Sequence, residues 1–255
     1  MNVTEKSVYA ILAASILVAT YFLFPNVLSP KLEFRERAFP KGFRELVLDN
    51  TSSQIDPIFG AKQGLPAVSK LNAREICDAL FRDINSPAIG IRDSRPQIVA
   101  FLDYRCPYCK KLSIVLPQIQ NEKKVRVIYK EWPILGDSSV LAAHAGLAAD
   151  RQGKYLEFHT RLMSTRFIPT VAYIEEIAAN LGMDQSRLRA DMNSVATANA
   201  IRQTIALASA LSLAGTPALV VGRTVVQGEI TRRQLEHLID DEIQQPEKAC
   251  EGTGS

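Results

Sequence analysis

Two cysteines separated by two residues, Cys106 and Cys109, form the motif with the clearest chemistry in the sequence. The motif, Cys106-Pro107-Tyr108-Cys109, follows a short apolar run and opens a segment with helical character. A C-x-x-C between a strand and a helix is typical of dithiols that do redox work. Free N–H groups and the positive end of the dipole at a helix N-terminus stabilise a thiolate. The order therefore predicts Cys106 as the nucleophile and Cys109 as the thiol that resolves a mixed disulfide.

The same motif also occurs as half of a zinc site or as a plain structural disulfide. A structural zinc site needs two further Cys or His ligands, and Cys77, Cys250 and the three histidines show no paired spacing. Pro107 suits the first turn of a helix, because it has no N–H to leave unpaired and its φ is near the helical value. Redox chemistry is favoured over both alternatives, and we expect neither a metal nor a cofactor.

The segments around the motif predict a mixed α/β fold. Four short runs rich in β-forming residues predict strands: 97–102, 125–131, 218–221 and 224–227. Gly222-Arg223 predicts a two-residue hairpin turn between the last two. A helix is predicted over 106–121, interrupted by Pro117. Residues 138–213 are helical in pattern almost throughout, which predicts a subdomain of about four helices, and a final helix is predicted over 231–243.

The N-terminal part divides into an apolar stretch and a mixed region. Residues 8–24 carry no charge and would span roughly 26 Å as a helix, a little short of the ~30 Å hydrocarbon core. An uncleaved membrane anchor is favoured over a cleaved signal peptide, because no small-x-small pair follows Phe24, and over a buried helix. Between there and residue 95 the sequence predicts a linker that leads into a short helix at 72–82, where Asn72 and Glu75 resemble a capping box.

Composition and charge limit the classes of protein. The 255 residues are 47% hydrophobic and 22% charged, as in ordinary globular proteins, which excludes a disordered or collagenous chain. A net charge of +3 without a long basic run gives no argument for nucleic acid as a partner. Four cysteines are too few for a disulfide-dense mini-scaffold.

From about Ser86 to Ile243 the sequence resembles the DsbA-like thiol:disulfide oxidoreductases of the thioredoxin superfamily. The resemblance lies in FLDYRCPYCKKL, in the run from YKEWPILGDSS to FHTRLM, and in GTPALVVGRTVVQG. It implies a thioredoxin-like fold with an inserted helical subdomain, preceded here by the transmembrane helix. It also implies that Pro217 is cis and that Thr216 and Pro217 form the loop that receives the substrate backbone.

Two positions depart from that family. Its members often carry a buried glutamate six residues before the nucleophile, where this sequence has Ala100. Glu131 is the remaining carboxylate candidate for a proton carrier, with a structural or solvated role as the alternative. Strongly oxidising members carry histidine where this sequence has Tyr108, which cannot stabilise a thiolate by positive charge. A weaker oxidant is therefore expected.

Cys77 and Cys250 lie outside the thioredoxin unit. They are candidates for a second, structural disulfide that would tie the tail to the short helix, although Cys77 could equally be a buried apolar cysteine and Cys250 a free thiol. We expect the chain to divide into five segments. They are an N-terminal tail (1–7), a membrane anchor (8–24), a linker region (25–94), a DsbA-like domain (95–245, with its helical insertion at about 137–213) and a flexible tail (246–255).

The function predicted from the sequence is thiol:disulfide exchange between the Cys106–Cys109 disulfide and cysteines of exported proteins, with a membrane redox partner that recycles the dithiol. The alternatives are an isomerase or reductase that its partner keeps reduced, and a tethered chaperone-like binding module. The predicted location is the inner membrane, single-pass, with the catalytic domain in the periplasm. Lys and Arg are more numerous after the apolar stretch than before it, which alone would favour the cytoplasm. The resemblance outweighs that bias.

Overall fold

The computed structural model describes residues 31–48, 71–244 and 250. The predicted membrane anchor at 8–24 and most of the predicted tail at 246–255 lie outside the described residues. Within the part of the chain that is described, no helix has both the length and the apolar character that a membrane crossing needs.

The described residues build a mixed seven-stranded sheet with the order β1-β2-β7-β6-β4-β5-β3. Its strands are β1 (Glu33–Glu36), β2 (Arg44–Val47), β3 (Ala88–Ile89), β4 (Gln97–Leu102), β5 (Arg126–Glu131), β6 (Ala218–Val221) and β7 (Thr224–Gln227). The central strand β4 is parallel to β5 and antiparallel to β6. The strands predicted on either side of the cysteine motif and the predicted hairpin are confirmed.

Eight helices are described around this sheet. They are α1 (Ala73–Phe81), α2 (Pro107–Lys123), α3 (Asp137–Asp150), α4 (Tyr155–Ser164), α5 (Val171–Asn180), α6 (Gln185–Met192), α7 (Val195–Ala210) and α8 (Arg232–Gln244). Helix α2 connects the parallel strands β4 and β5. The helical insertion comprises α3 to α7, five helices where the sequence predicted about four.

Both faces of the sheet are covered, which explains why every residue of β4 is buried. On one face Ile98, Ala100 and Leu102 pack in one apolar cluster with α2 and with parts of the helical insertion. On the other face Val99 and Phe101 pack in a second cluster with residues of α1 and α7. Cys106 and Cys109 belong to the first cluster, so the motif lies where α2 meets the sheet.

Pro117 does not interrupt α2, contrary to the prediction. The helix continues to Lys123 with the proline inside it. Proline in a helix interior removes one hydrogen bond and costs about 3 kcal/mol. Leu112, Leu116 and Ile119 are buried along the same helix, and their packing against the sheet offsets that cost.

The strands β1 and β2 arise where the sequence indicated only a linker. They form an antiparallel pair, and β2 pairs in parallel with β7 at the edge of the sheet. The inward residue Arg44 is buried and donates hydrogen bonds to Thr224 Oγ1 (2.7 Å) and Glu242 Oε1 (2.9 Å). A charged residue at an inward position conceals the apolar alternation by which strands are recognised.

Helix α1 begins as predicted. Asn72 and Glu75 form the expected capping box, in which each side chain accepts from the backbone N–H of the other. Cys77 on this helix is joined to Cys250 by a disulfide with a Cα–Cα distance of 5.7 Å. The structure thus pairs the two cysteines outside the motif.

Candidate active site

Cys106 is the N-cap of α2, and its sulfur lies among backbone groups. The Cys109 N–H donates to Cys106 Sγ at 3.3 Å, and Cys106 Sγ donates to the Thr216 carbonyl at 3.2 Å. Both cysteines are free thiols in the structure. Cys106 keeps 3% of its surface exposed whereas Cys109 keeps none, so an attacking sulfur can reach only Cys106.

The two thiols differ in acidity because their surroundings differ. The pKa of Cys106 is lowered to about 7, chiefly by a hydrogen bond from the Cys109 side chain, against the opposing effect of burial, and further by the Cys109 backbone N–H. Burial raises the pKa of Cys109 well above its usual range, and the neighbouring Cys106 raises it further. About half of Cys106 is therefore thiolate at neutral pH, while Cys109 stays protonated.

The Thr216–Pro217 peptide is cis, in agreement with the resemblance. This loop precedes β6, and the Gly228 N–H donates to the Pro217 carbonyl at 3.0 Å. Since the Thr216 carbonyl accepts from Cys106, the structure brings together four of the predicted site residues: Cys106, Cys109, Thr216 and Pro217. Pro107 occupies the first helical position, as expected.

Tyr108 faces the outside at the same end of α2. Its side chain is 47% exposed. The Lys111 ammonium lies 5.1 Å from the centre of its ring and 2.7 Å from Glu229 Oε1. The tyrosine therefore presents an aromatic surface next to the nucleophile.

Asp103 is a site residue that the sequence reasoning missed. Its carboxylate is buried and accepts from the backbone N–H of Arg105 (2.7 Å), Ile134 (2.8 Å) and Leu135 (3.0 Å) and from the Ser139 hydroxyl (2.7 Å). These bonds fasten the loop before Cys106 to the loop after β5. An aspartate three residues before a C-x-x-C gives no signal of this role, because three of its four partners, Ile134, Leu135 and Ser139, follow more than 30 positions later.

Glu131 is buried at the end of β5. Its Oε1 accepts from the hydroxyls of Tyr104 (2.9 Å) and Tyr155 (2.7 Å). Burial raises the pKa of Glu131 to about 8, and the two tyrosine hydrogen bonds oppose that rise. Its hydrogen bonds thus lead to tyrosines and not to the cysteines, and its predicted role as a proton carrier stays a prediction.

The same two tyrosines also reach His159 on α4. Their hydroxyls lie 3.0 Å (Tyr104) and 3.1 Å (Tyr155) from His159 Nδ1. On the other side of the ring, Ser113 Oγ of α2 lies 3.0 Å from Nε2. Burial lowers the pKa of His159 to about 3, so the imidazole is neutral. We call these five residues, Ser113, His159, Tyr104, Tyr155 and Glu131, the buried polar chain.

Two exposed apolar side chains lie on the loop between α4 and α5, which is hydrogen-bonded to the first turn of α2. The Lys110 ammonium donates to the Thr165 carbonyl. Phe167 and Ile168, shortly after it, are 55% and 57% exposed. The loop between α4 and α5 thereby offers an apolar surface beside the first turn of α2.

Among the described residues, no three His, Cys, Asp or Glu side chains are arranged to hold a metal ion.

Comparisons with known proteins agree with this geometry. The model of the DSBA-like thioredoxin domain matches residues 97–240. The structure is similar to a thioredoxin-like oxidoreductase from Silicibacter pomeroyi DSS-3, with 38% identity, a TM-score of 0.62, and coverage of 66% of this chain and 97% of the other.

Two further relatives are similar over most of their own length. A periplasmic thioredoxin-like protein from Salmonella enterica serovar Typhimurium has 33% identity and a TM-score of 0.61, with coverage of 66% of this chain and 96% of the other. The probable disulfide bond formation protein D of Bacillus anthracis is 24% identical over 178 residues, which are 64% of this chain and 81% of that protein.

Proposed function

Because this chain belongs to the DSBA-like thioredoxin domain family and is a thiol:disulfide oxidoreductase, we propose that it donates the Cys106–Cys109 disulfide to cysteine pairs of exported proteins. The observation that carries the proposal is the arrangement of the two thiols. Cys106 is acidic and reachable at the start of α2, and Cys109 is enclosed behind it with a raised pKa.

The exchange proceeds in two substitutions at sulfur. A substrate thiolate attacks Cys106 Sγ, a bond forms between those two sulfurs, and the electron pair of the Cys106–Cys109 bond leaves with Cys109, which takes up a proton. A second substrate thiolate then attacks the substrate sulfur of the mixed disulfide, and Cys106 leaves as a thiolate. The substrate dithiol is oxidised and the enzyme disulfide is reduced. The loop at Thr216 and Pro217 would hold the substrate backbone during both steps.

The acidity of Cys106 favours a mild oxidant. Each pKa unit by which the leaving thiol is acidified makes a two-electron couple roughly 30 mV more oxidising. A pKa of about 7 is a modest reduction, in line with the absence of a positive charge at Tyr108. The same value favours a second candidate, an isomerase or reductase kept reduced by its partner, because the best attacking thiol has a pKa near ambient pH.

We also propose the location and the partners. The uncharged stretch at 8–24 would anchor the chain in the inner membrane as a single span, with the catalytic domain in the periplasm. The disulfide between Cys77 and Cys250 supports this placement, since such bonds persist in oxidising compartments. The relative described as periplasmic supports it too. Reoxidation after each cycle would require a membrane redox partner.

The test is oxidative refolding of reduced, unfolded ribonuclease A by the purified oxidised protein, with Cys106→Ala as the matched control. We expect recovery of ribonuclease activity with the wild-type chain and none above background with Cys106→Ala. Equal recovery with both proteins, at the rate of air oxidation alone, would mean that the Cys106–Cys109 disulfide is not the oxidant and would favour a binding module. No oxidation by the wild type, together with reduction of insulin disulfides by its dithiol form, would favour the reductase.

A further inference from the structure

The loop before β6 is joined by side-chain hydrogen bonds to the first two strands of the sheet. We call residues 33–47, which comprise β1, β2 and the turn between them, the N-terminal hairpin. We call residues 211–217, which run from the end of α7 to the cis peptide, the cis-proline loop. Two side chains of the hairpin, Arg37 and Glu45, and one side chain of β7, Gln227, connect these segments.

Two backbone groups of the cis-proline loop are held by these side chains. At the start of the loop, Arg37 donates to the carbonyl of Leu211, which is the C-cap of α7. The last carbonyls of a helix have no partner within the helix, so a cation at this place satisfies one of them. In the middle of the loop, the Ala214 N–H donates to Gln227 Oε1 at 2.8 Å. The loop therefore takes its position partly from the hairpin and from the end of β7.

One carboxylate orients both of the side chains that hold the loop. Glu45 Oε2 accepts from Arg37 Nη1 at 2.9 Å, and Glu45 Oε1 accepts from Gln227 Nε2 at 2.8 Å. A side-chain amide has one oxygen that accepts and one NH2 group that donates. Because the NH2 group of Gln227 is engaged by Glu45, its oxygen is the atom that faces the Ala214 N–H. Glu45 thus determines which way the Gln227 amide points.

The cis-proline loop also contacts the nucleophile. The Thr216 carbonyl, two residues after Ala214, accepts from Cys106 Sγ at 3.2 Å. An extended peptide gains affinity when its backbone pairs with backbone groups of the protein. A reacting atom must also be held about 3–3.5 Å from its partner in the right orientation. The contacts of Arg37 and Gln227 therefore act on a segment whose position matters for a bound peptide.

We propose that the N-terminal hairpin positions the cis-proline loop for the substrate backbone, with Arg37, Glu45 and Gln227 as positioning residues. The proposal rests on the substrate-binding role proposed above for Thr216 and Pro217. It gives the hairpin a part in peptide binding and none in the substitutions at sulfur. Peptide substrates should therefore depend on the hairpin, whereas a small thiol without a peptide backbone should not.

The test measures reduction of the oxidised protein by a peptide with two cysteines and, separately, by dithiothreitol. Acid quenching and alkylation at several peptide concentrations give the half-saturation concentration and the limiting rate. In Gln227→Glu, repulsion by Glu45 should move the new carboxylate away from the Ala214 N–H. We expect the half-saturation concentration to rise about fivefold, the effect of one lost hydrogen bond. The limiting rate and the rate with dithiothreitol should stay within about twofold of the wild type, because the chemistry at sulfur is unchanged.

The double variant Glu45→Gln/Gln227→Glu is the rescue. In it the amide at position 45 donates to the carboxylate at position 227 and accepts from Arg37. The carboxylate at position 227 is then free to accept from the Ala214 N–H. The half-saturation concentration should return close to the wild-type value, which a general loss of stability in the single variant would not explain.

Glu36→Gln is the matched control on the same hairpin. Glu36 is exposed, and its carboxylate lies 3.6 Å from Arg223 Nη1 instead of contacting the cis-proline loop. This variant should keep the wild-type half-saturation concentration and both rates. If Gln227→Glu does not fold, Arg37→Gln releases the Leu211 carbonyl and should raise the half-saturation concentration in the same way.

Three results would count against the hairpin. An unchanged half-saturation concentration in the folded single variants, or a rise that the double variant does not reverse, would overturn the proposal. Equal losses toward the peptide and dithiothreitol would overturn it as well, because the effect would then lie in the chemistry at sulfur. A wild-type protein that dithiothreitol reduces and the peptide does not would contradict the disulfide donor itself, and this proposal with it.

Discussion

At the scale of single residues, Tyr108 is the position of the cysteine motif where we expect a substitution to change how strongly the dithiol oxidises. Its ring at the start of α2 carries no charge of its own, and the Lys111 ammonium, 5.1 Å from the ring centre, is paired with Glu229. Backbone and thiol hydrogen bonds therefore account for the lowered pKa of Cys106.

Replacing this residue should change the equilibrium with glutathione. In Tyr108→His an imidazolium beside Cys106 would lower the thiol pKa further, and a change of one pKa unit shifts the equilibrium constant toward oxidation of glutathione by about tenfold. Tyr108→Phe, which keeps the ring, should stay near the wild type. The constant is measured by acid quenching and separation of the two redox forms. A Tyr108→His protein with the wild-type constant would contradict this account of the potential.

Titration of Cys106 also predicts a pH dependence. The rate of its alkylation by iodoacetamide should rise through a midpoint near pH 7, the pKa of the folded thiol. Because that pKa lies below the usual thiol range, the folded dithiol binds fewer protons than the unfolded chain at pH values above it. The free energy of unfolding of the dithiol form, relative to Cys106→Ser, should therefore rise from about pH 7 to about pH 9 and lose this contribution below pH 7. A midpoint in the usual thiol range would rule out the stabilised thiolate.

At the scale of the elements, helix α3 closes over the buried polar chain at a glycine. A Cβ added to Gly146 would lie 2.5 Å from the Tyr104 hydroxyl and 3.0 Å from Glu131 Oε1. Gly146→Ala should thus destabilise the protein by about 1–3 kcal/mol through overpacking, although alanine ordinarily stabilises a helix. Val140→Ala on the exposed side of α3 is the control, and it should change the free energy of unfolding by less than about 0.5 kcal/mol. Urea denaturation measures both, and a stabilised Gly146→Ala would contradict the packing described here.

The elements also show what a sequence can reveal. Strands β4 and β6 are largely apolar runs, β7 follows the Gly222-Arg223 hairpin turn, and α1 has a local capping box, so each was predictable from neighbouring residues. Strands β1 and β2 were not, because Arg44 is buried through contacts with residues about 180 positions away. The redox role of Cys106 and Cys109 was predictable from the four residues of their motif, and the cis peptide before Pro217 was predictable from the family resemblance. The buried polar chain was not, because its members are brought together only by the packing of α2, α4 and the sheet.

At the scale of the whole molecule, the disulfide between Cys77 and Cys250 links residues 173 positions apart. Closing a loop of this length restricts the unfolded chain, and loss of the bond should lower the free energy of unfolding by about 2–5 kcal/mol. Cys250→Ser removes it without altering the buried side of α1. Guanidinium denaturation measures the loss of stability in this variant. The insulin assay should show that thiol exchange at Cys106 is unaffected. Free thiols at both positions in the purified protein would contradict the pairing.

The whole molecule is proposed to act as a disulfide donor, and its redox state in cells tests that claim most directly. The measurement is acid quenching of cells that make the protein, followed by alkylation with a reagent that adds mass to each free thiol. The proposed donor predicts that Cys106 and Cys109 are mostly oxidised at rest, so that the unmodified mass predominates. A resting protein in which both thiols are modified would contradict the donor and would support an isomerase or reductase.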